Sequence, residues 1–240
     1  MKLTFLGTRG YIEPRSSEHY MHSALMVSYY GTEVLIDCGE DWLSQVSDLE
    51  PEAIFVTHAH PDHAGGLREG APSPVYATAE TWKAMQGFRI RQRRTIVSRE
   101  PVTIRRLSFE AFAVAHSTRA PAVGYRVAAG RVAIFYVPDV VYIYERGAAL
   151  SGVRVYVGDG ATIVRSMVRK PGDALIGHAP IRTQLTWCAK EGIARAIFTH
   201  CGSEIVAGDP SEVAAQVQAL AQERGVEASI AHDGLELVLR

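Results

Sequence analysis

The chain has 240 residues, 47% of them hydrophobic, enough to bury a substantial core within one compact domain spanning residues 1–240. Lys and Arg number 25 against 26 acidic residues, a net charge of −1, so bulk electrostatics draw it neither to nucleic acid nor to anionic lipid. The leading run Leu3-Thr4-Phe5-Leu6 is too short for a signal-peptide core, no stretch reaches membrane-span length, and the cysteines (Cys38, Cys188 and Cys201) are odd in number and widely spaced. A cytoplasmic protein without disulfides is expected.

In chain order, short apolar strands come first: Leu3 to Leu6, Ala24 to Tyr30, Glu33 to Ile36 and Ala53 to Val56, with a hairpin turn at Tyr29-Tyr30-Gly31-Thr32. Asp41 to Leu49 has the spacing of a short helix. Ala79 to Phe88 reads as a helix capped by Thr78, followed by a basic run from Arg89 to Arg94 that is a solvated face or an anion-attracting rim. A second strand series near Val102, then Phe109 to His116, Ala122 to Val127, Val132 to Val137 and Val153 to Val157, repeats the texture of the first. A helix over Ile181 to Glu191 stops at Gly192 and the strand Ala194 to Thr199 follows. A helix over Ser211 to Arg224 with Ser211 as its N-cap, and a closing strand Leu235 to Leu239, complete the pattern. Two sheet-rich halves, each with helices, predict an α/β protein built as a four-layered αββα sandwich.

Chemistry concentrates in one loop. Thr57-His58-Ala59-His60-Pro61-Asp62-His63 places three of the nine histidines and a carboxylate within six positions, directly after an apolar strand. A neutral imidazole is the commonest zinc ligand, and a catalytic zinc takes about three protein ligands. Four donors on one loop exceed that need, which points to two metals sharing the loop; the bland alternative is a solvated turn. Further ligands belong at strand ends, where loops carry chemistry on a rigid scaffold. His116, Asp139 and His200 each end a strand-like apolar run in the manner of His58.

With these residues in place the chain resembles the metallo-β-lactamase superfamily, and within it the branch of ribonuclease Z and the small phosphodiesterase of the carbon-phosphorus lyase pathway. The resemblance rests on Phe5-Leu6-Gly7-Thr8, Leu35-Ile36-Asp37-Cys38-Gly39-Glu40, the histidine loop, Gly177-His178 before a helix, and Ile197-Phe198-Thr199-His200. It implies that His58, His60 and His116 hold one metal and Asp62, His63 and His200 a second, with Asp139 bridging. It also implies a supporting hydrogen bond from Asp37 and a general acid at His178. The acidic partner of His178 is then Asp159, where the family has Glu. His19 or His22 can reach the site or simply pack, His232 reads as a turn residue, and Cys201 is a metal neighbour or a small buried residue.

The resemblance implies hydrolysis with two divalent cations, Zn²⁺ first and Mn²⁺ or Fe²⁺ as alternatives, with Asp62 orienting the attacking hydroxide. Ribonuclease Z carries an arm for transfer RNA between the residues matching His116 and Asp139. Only 22 residues separate those positions here, so transfer RNA is not expected and a small or cyclic phosphodiester is, with Arg119 or the basic run as an anion clamp. Pro138-Asp139-Val140 departs from the familiar Gly-Asp-Thr. Ester, lactone or β-lactam hydrolysis is the alternative, a non-catalytic binding module the third reading. A homodimer is common among such relatives.

Overall fold

The computed structural model describes every residue from Met1 to Arg240. Its first half runs β1 (Lys2–Gly7), β2 (Ala24–Tyr29), β3 (Thr32–Ile36), β4 (Ala53–Phe55), the one-turn helix α1 (Pro61–Ala64), β5 (Val75–Thr78), α2 (Ala79–Ala84) and β6 (Arg93–Ile96). The second half runs β7 (Val102–Ile104), β8 (Leu107–Ala115), β9 (Ala122–Ala129), β10 (Val132–Tyr136), β11 (Tyr142–Ile143), α3 (Arg146–Leu150), β12 (Val155–Asp159), α4 (Ile181–Lys190), β13 (Arg195–Thr199), α5 (Ser203–Val206), α6 (Pro210–Gln222), β14 (Glu227–Ile230) and β15 (Leu235–Val238).

The two sheets follow one plan. The first is ordered β15-β1-β2-β3-β4-β5-β6 and the second β11-β8-β9-β10-β12-β13-β14, with β7 paired to β8. In the first, pairings are antiparallel from β15 to β3 and parallel from β3 to β6. In the second they are antiparallel from β11 to β10 and parallel from β10 to β14. The parallel strands therefore send their C-terminal ends to common edges, which is where side chains from separate strands can meet.

Burial on both faces explains the unbroken apolar runs. In β10, Ile134 and Tyr136 face the core between the sheets, where Leu3, Phe55 and Val157 also lie. Phe135, between them, faces the outer core with Leu185, Trp187 and Val217 of α4 and α6. Ile54 likewise turns to the opposite outer layer with Trp42, Leu67 and Trp82. Helices on sheet, sheet on sheet, helices again: this is the αββα sandwich expected.

Several local expectations need correction. Asp41 to Leu49 forms two 3-10 turns, Glu40–Trp42 and Val46–Leu49: Trp42, Val46 and Leu49 keep the helical spacing and pack on one core, but the backbone closes by bonds three residues apart, such as Leu43 N to Glu40 O at 3.1 Å. The helix after Thr78 ends at Ala84, although Thr78 does accept from Thr81 N at 3.2 Å. The N-cap of α6 is Asp209: its carboxylate accepts from Ser211 N at 2.9 Å and Glu212 N at 3.1 Å, and Pro210 takes the first helical position, where its missing N–H is harmless. The basic run, given no element by its pattern, ends in the edge strand β6, which Arg93 opens.

Candidate metal centre

The histidine loop leaves β4 and turns straight into α1, whose Pro61 needs no N–H partner in the first turn. Asp62 and His63 are thereby carried, buried, beneath the C-terminal end of β3. A Cβ at Gly66 would lie 2.7 Å from Cys38 Sγ and 2.6 Å from Gly39 O, so only glycine lets this turn approach so closely. Across the sandwich, His116 follows β8, Asp139 follows β10, Asp159 ends β12 and His200 follows β13.

These elements bring the imidazoles and carboxylates together in adjoining groups: His58, His60 and His116 in one, Asp62, His63, Asp139 and His200 in the next, with Asp159 and His178 beside them. In the first, His58 Nε2 lies 2.9 Å from His60 Nδ1, which lies 3.2 Å from His116 Nε2. In the second, Asp62 Oδ2 stands 3.0 Å from His200 Nε2 and 3.3 Å from His63 Nε2. Donors held about 2.0–2.1 Å from one ion stand on the order of 3.3 Å apart, the spacing seen here.

Outer hydrogen bonds decide which nitrogen faces inward. Thr57 Oγ1 donates to Asp37 at 2.9 Å, so it accepts from His58 Nδ1 at 3.0 Å. His63 Nδ1 donates to Asp37 Oδ2 at 2.9 Å, and His116 Nδ1 to the Gly177 carbonyl at 3.0 Å. The Nε2 lone pairs of His58, His63 and His116 are thus left pointing into the cluster. His63 Nε2, His200 Nδ1 and both Asp139 oxygens are buried without a hydrogen-bond partner, although Asp139 Oδ2 stands 2.5 Å from His63 Nε2. Converging lone pairs and orphaned carboxylate oxygens are a donor set that divalent cations fit. Asp139 is shared, 2.5 Å from His63 and 3.5 Å from His58.

Electrostatics differ across the site. Burial, then neighbouring imidazoles, push His58 well below the ordinary histidine pKa and His60 down to about 4. Burial also depresses His63 and His200, but Asp139 and the other carboxylates outweigh it, lifting His63 well above the usual range and His200 to about 10. Burial pushes Asp139 up, yet His200, His116 and His63 hold it well below the usual carboxylate range.

Backbone strain marks the same place. Asp37 and His200 both sit at positive φ, 62° and 54°, a conformation that costs about 1–3 kcal/mol and survives where the surroundings impose it. For Asp37 the reason is visible: its N–H donates to Phe55 O at 2.8 Å while its carboxylate turns to Thr57 and His63.

His178 enters from the loop before α4. Its Nδ1 lies 2.8 Å from Asp159 Oδ2, and although burial lowers its pKa, Asp159 more than reverses this and leaves it raised. Asp159 also accepts from Val140 N at 3.0 Å and Ala161 N at 2.9 Å. Gln184 holds both partners: it accepts from Asp159 N at 2.9 Å and donates to Asp159 O at 2.7 Å and Ala179 O at 2.8 Å. Sequence reasoning missed Gln184, since a glutamine within a helix carries no signal until the structure shows it fully buried.

A cavity of about 720 Å³ opens over these groups, with Tyr11 and Ile12 on one wall and Arg165, Met167 and Glu204 on another. The Tyr11 wall is strapped down by Arg9, which is almost fully buried: its guanidinium donates to Tyr20 O at 3.0 Å, to Ile12 O, and to Asp41 Oδ2 at 2.6 Å. Asp233 pins the same loop from the far end of the chain, accepting from Thr8 Oγ1 at 2.7 Å and from Tyr20 N and Met21 N at 2.8 Å.

Other expected groups are not brought to this cavity. Arg119 is exposed and lies off its wall, and the Arg89 to Arg94 run lies elsewhere on the surface, with Arg89 bonded to Glu69. His22 is buried against Asp41, 2.8 Å away, and faces a separate cleft with Arg9 and Arg15. His19 packs on Thr8 Oγ1 at 2.8 Å, His232 is exposed in its turn, and the three cysteines are free and buried. No helix is long and apolar enough to cross a membrane.

Known proteins place these features in context. The Beta-lactamase superfamily domain matches residues 32–201. A ribonuclease Z of Methanococcus maripaludis is 34% identical over 101 residues, 36% of this chain and 32% of that protein, so the match spans about a third of that relative's length. Among solved structures, the metallo-beta-lactamase fold protein YhfI from Bacillus subtilis has a TM-score of 0.78 at 15% identity, covering 98% of each chain. A diphosphatase from the PhnP family has a TM-score of 0.71 at 20% identity, covering 100% of this chain and 98% of that one. Fold, His/Asp clusters suited to a binuclear site and family match agree: the chain, whose relatives include ribonuclease Z, belongs to the beta-lactamase superfamily.

Proposed function

We propose that the chain is a metal-dependent hydrolase of small or cyclic phosphodiesters. In this reading His58, His60 and His116 hold one cation, Asp62, His63 and His200 a second, and Asp139 lies between them. Zn²⁺ suits so imidazole-rich a set, and Mn²⁺ or Fe²⁺ is compatible with it. When bound, the cations supply an activated water and a Lewis acid for a phosphoryl oxygen.

The chain's own residues do the rest. Asp62, held below the ordinary carboxylate range by His63 and His200 against the effect of burial, is too weak a base to keep a proton and serves to orient the attacking water. His178 donates a proton to the departing oxygen. The observation that carries the reading is its pairing with Asp159 at 2.8 Å on the cavity wall, with the ring's pKa raised, because an alkoxide leaving group needs such an acid near neutral pH. Asp159 fixes the tautomer and stabilises the imidazolium.

The imidazoles and Arg165 lining the cavity support an anionic substrate, and a phosphodiester is one. A transfer RNA substrate, in keeping with the ribonuclease Z relatives, is less well supported: β9 and β10 take up most of the stretch between His116 and Asp139, leaving no length for an arm. The test is a side-by-side assay of metal-loaded protein on bis-nitrophenyl phosphate, cyclic nucleotides, a lactone and a chromogenic cephalosporin. Diester turnover is expected to lead; ester or lactam turnover far above it reverses the reading.

A further inference from the structure

Besides its imidazoles the cavity has a single cationic side chain, Arg165. The arginine nearest the opposite wall is matched by a carboxylate, Arg9 by Asp41, and so is its neighbour Arg15. Arg165 is exposed and uncommitted, although Glu204 lines the same cavity. That carboxylate is turned away to the backbone leading to Arg165, accepting from Ile163 N at 3.1 Å and Thr162 Oγ1 at 3.3 Å.

The support beneath Arg165 is firm. Thr162 and Ile163 are fully buried, and their carbonyls accept from Ile181 N at 2.9 Å and Arg182 N at 3.1 Å at the start of α4. Beyond Arg165 the chain forms a small hairpin closed by reciprocal hydrogen bonds of 2.9 Å between Arg169 and Ile176. The hairpin ends at Gly177, whose N–H donates to His116 O at 2.9 Å. Gly177 has φ +105°, and a Cβ there would lie 2.1 Å from Met167 O, so the return to the site admits only glycine. An exposed guanidinium with unspent donors, carried on an anchored segment and lining the same cavity as the clustered histidines and Asp139, is a receptor for a second anion.

We infer that Arg165 selects substrates bearing a second anionic group, phosphate or carboxylate, beyond the scissile bond. This rests on the phosphodiester reading of the metal centre and narrows it. Arg165 acts as a specificity residue that touches substrate and takes no part in proton transfer.

Calorimetric binding to the metal-loaded protein tests this without turnover. The probes are phosphonoacetate, 3-phosphonopropionate and 4-phosphonobutyrate, each beside the alkylphosphonate lacking the carboxylate. At least one carboxylate-bearing probe is expected to bind roughly 10- to 100-fold tighter than the alkylphosphonate lacking the carboxylate, the scale of a charge-assisted hydrogen bond. R165Q should erase that advantage at unchanged metal content and unchanged alkylphosphonate affinity, while R165K keeps part of it. If the alkylphosphonates bind and the carboxylate adds nothing, or if R165Q weakens both series alike, the inference falls while the phosphodiester reading stands. If no phosphonate binds the metal-loaded protein, both fall.

Discussion

The two donor groups of the centre sit side by side yet respond to protons in opposite ways. His58, His60 and His116 are imidazoles crowding one another, and burial drives protons off them. His63 and His200 lie among Asp37, Asp62, Asp139 and Asp159, whose charge holds protons on them despite burial. The difference teaches that one group is kept neutral by its surroundings, whereas the other needs a cation to replace the protons it would hold alone.

Asp139 joins the two groups, so its removal should break the comparison outright. Asp139→Asn is expected to lower hydrolysis by on the order of 10³-fold, the scale of losing a principal electrostatic stabiliser, and to reduce bound metal from about two ions per chain when read by elemental analysis. Retention of both ions and activity would remove Asp139 from the centre. Next in size, His178→Ala should slow diesters with alkoxide leaving groups by about 10²-fold while affecting nitrophenyl esters less, since nitrophenolate departs without a proton. Asp159→Asn should shift the alkaline limb of the pH profile to lower pH, because Asp159 is what raises the His178 pKa.

Asp37→Asn leaves His63 without its outer carboxylate and should weaken metal binding by about 10- to 100-fold in competition with a chelator. The smallest expected effect is on the metal-free fold. His60, depressed to about 4, contributes stability present above pH 6.5 and lost as pH falls toward 4; His200, raised to about 10, contributes stability present below pH 6.5 and lost as pH rises through about 10. Melting temperatures of chelator-treated protein should decline on both sides, and His200→Gln should flatten the alkaline side alone.

The histidine loop was legible because four donors share one short segment, and the strands were legible where both faces are buried, as in β10. Two edge strands were not: β6 reads Arg-Arg-Thr-Ile and β11 has two residues, since an edge open to water imposes little apolar pattern, although the edge strand β15 was legible. The meeting of Asp159 with His178 was expected only by resemblance, because 19 residues and a loop without periodicity separate them. Arg165 carried no signal at all, a lone arginine between Ile163-Val164 and Met167-Val168 being ordinary until the fold turns it to a cavity. Arg119 shows the reverse case, a charge read as a site group that lies off the cavity wall, while the basic run keeps only its solvated-face reading.

The hold of Asp233 on Thr8, Tyr20 and Met21 has a consequence in time. One wall of the cavity is written in the first 21 residues, yet its latch lies in the turn between β14 and β15. During synthesis, at roughly 5–20 residues per second, the histidine loop emerges long before His200 and the latch exist. The cavity wall is therefore latched only once Asp233 has left the ribosome, more than two hundred residues after the segment it holds.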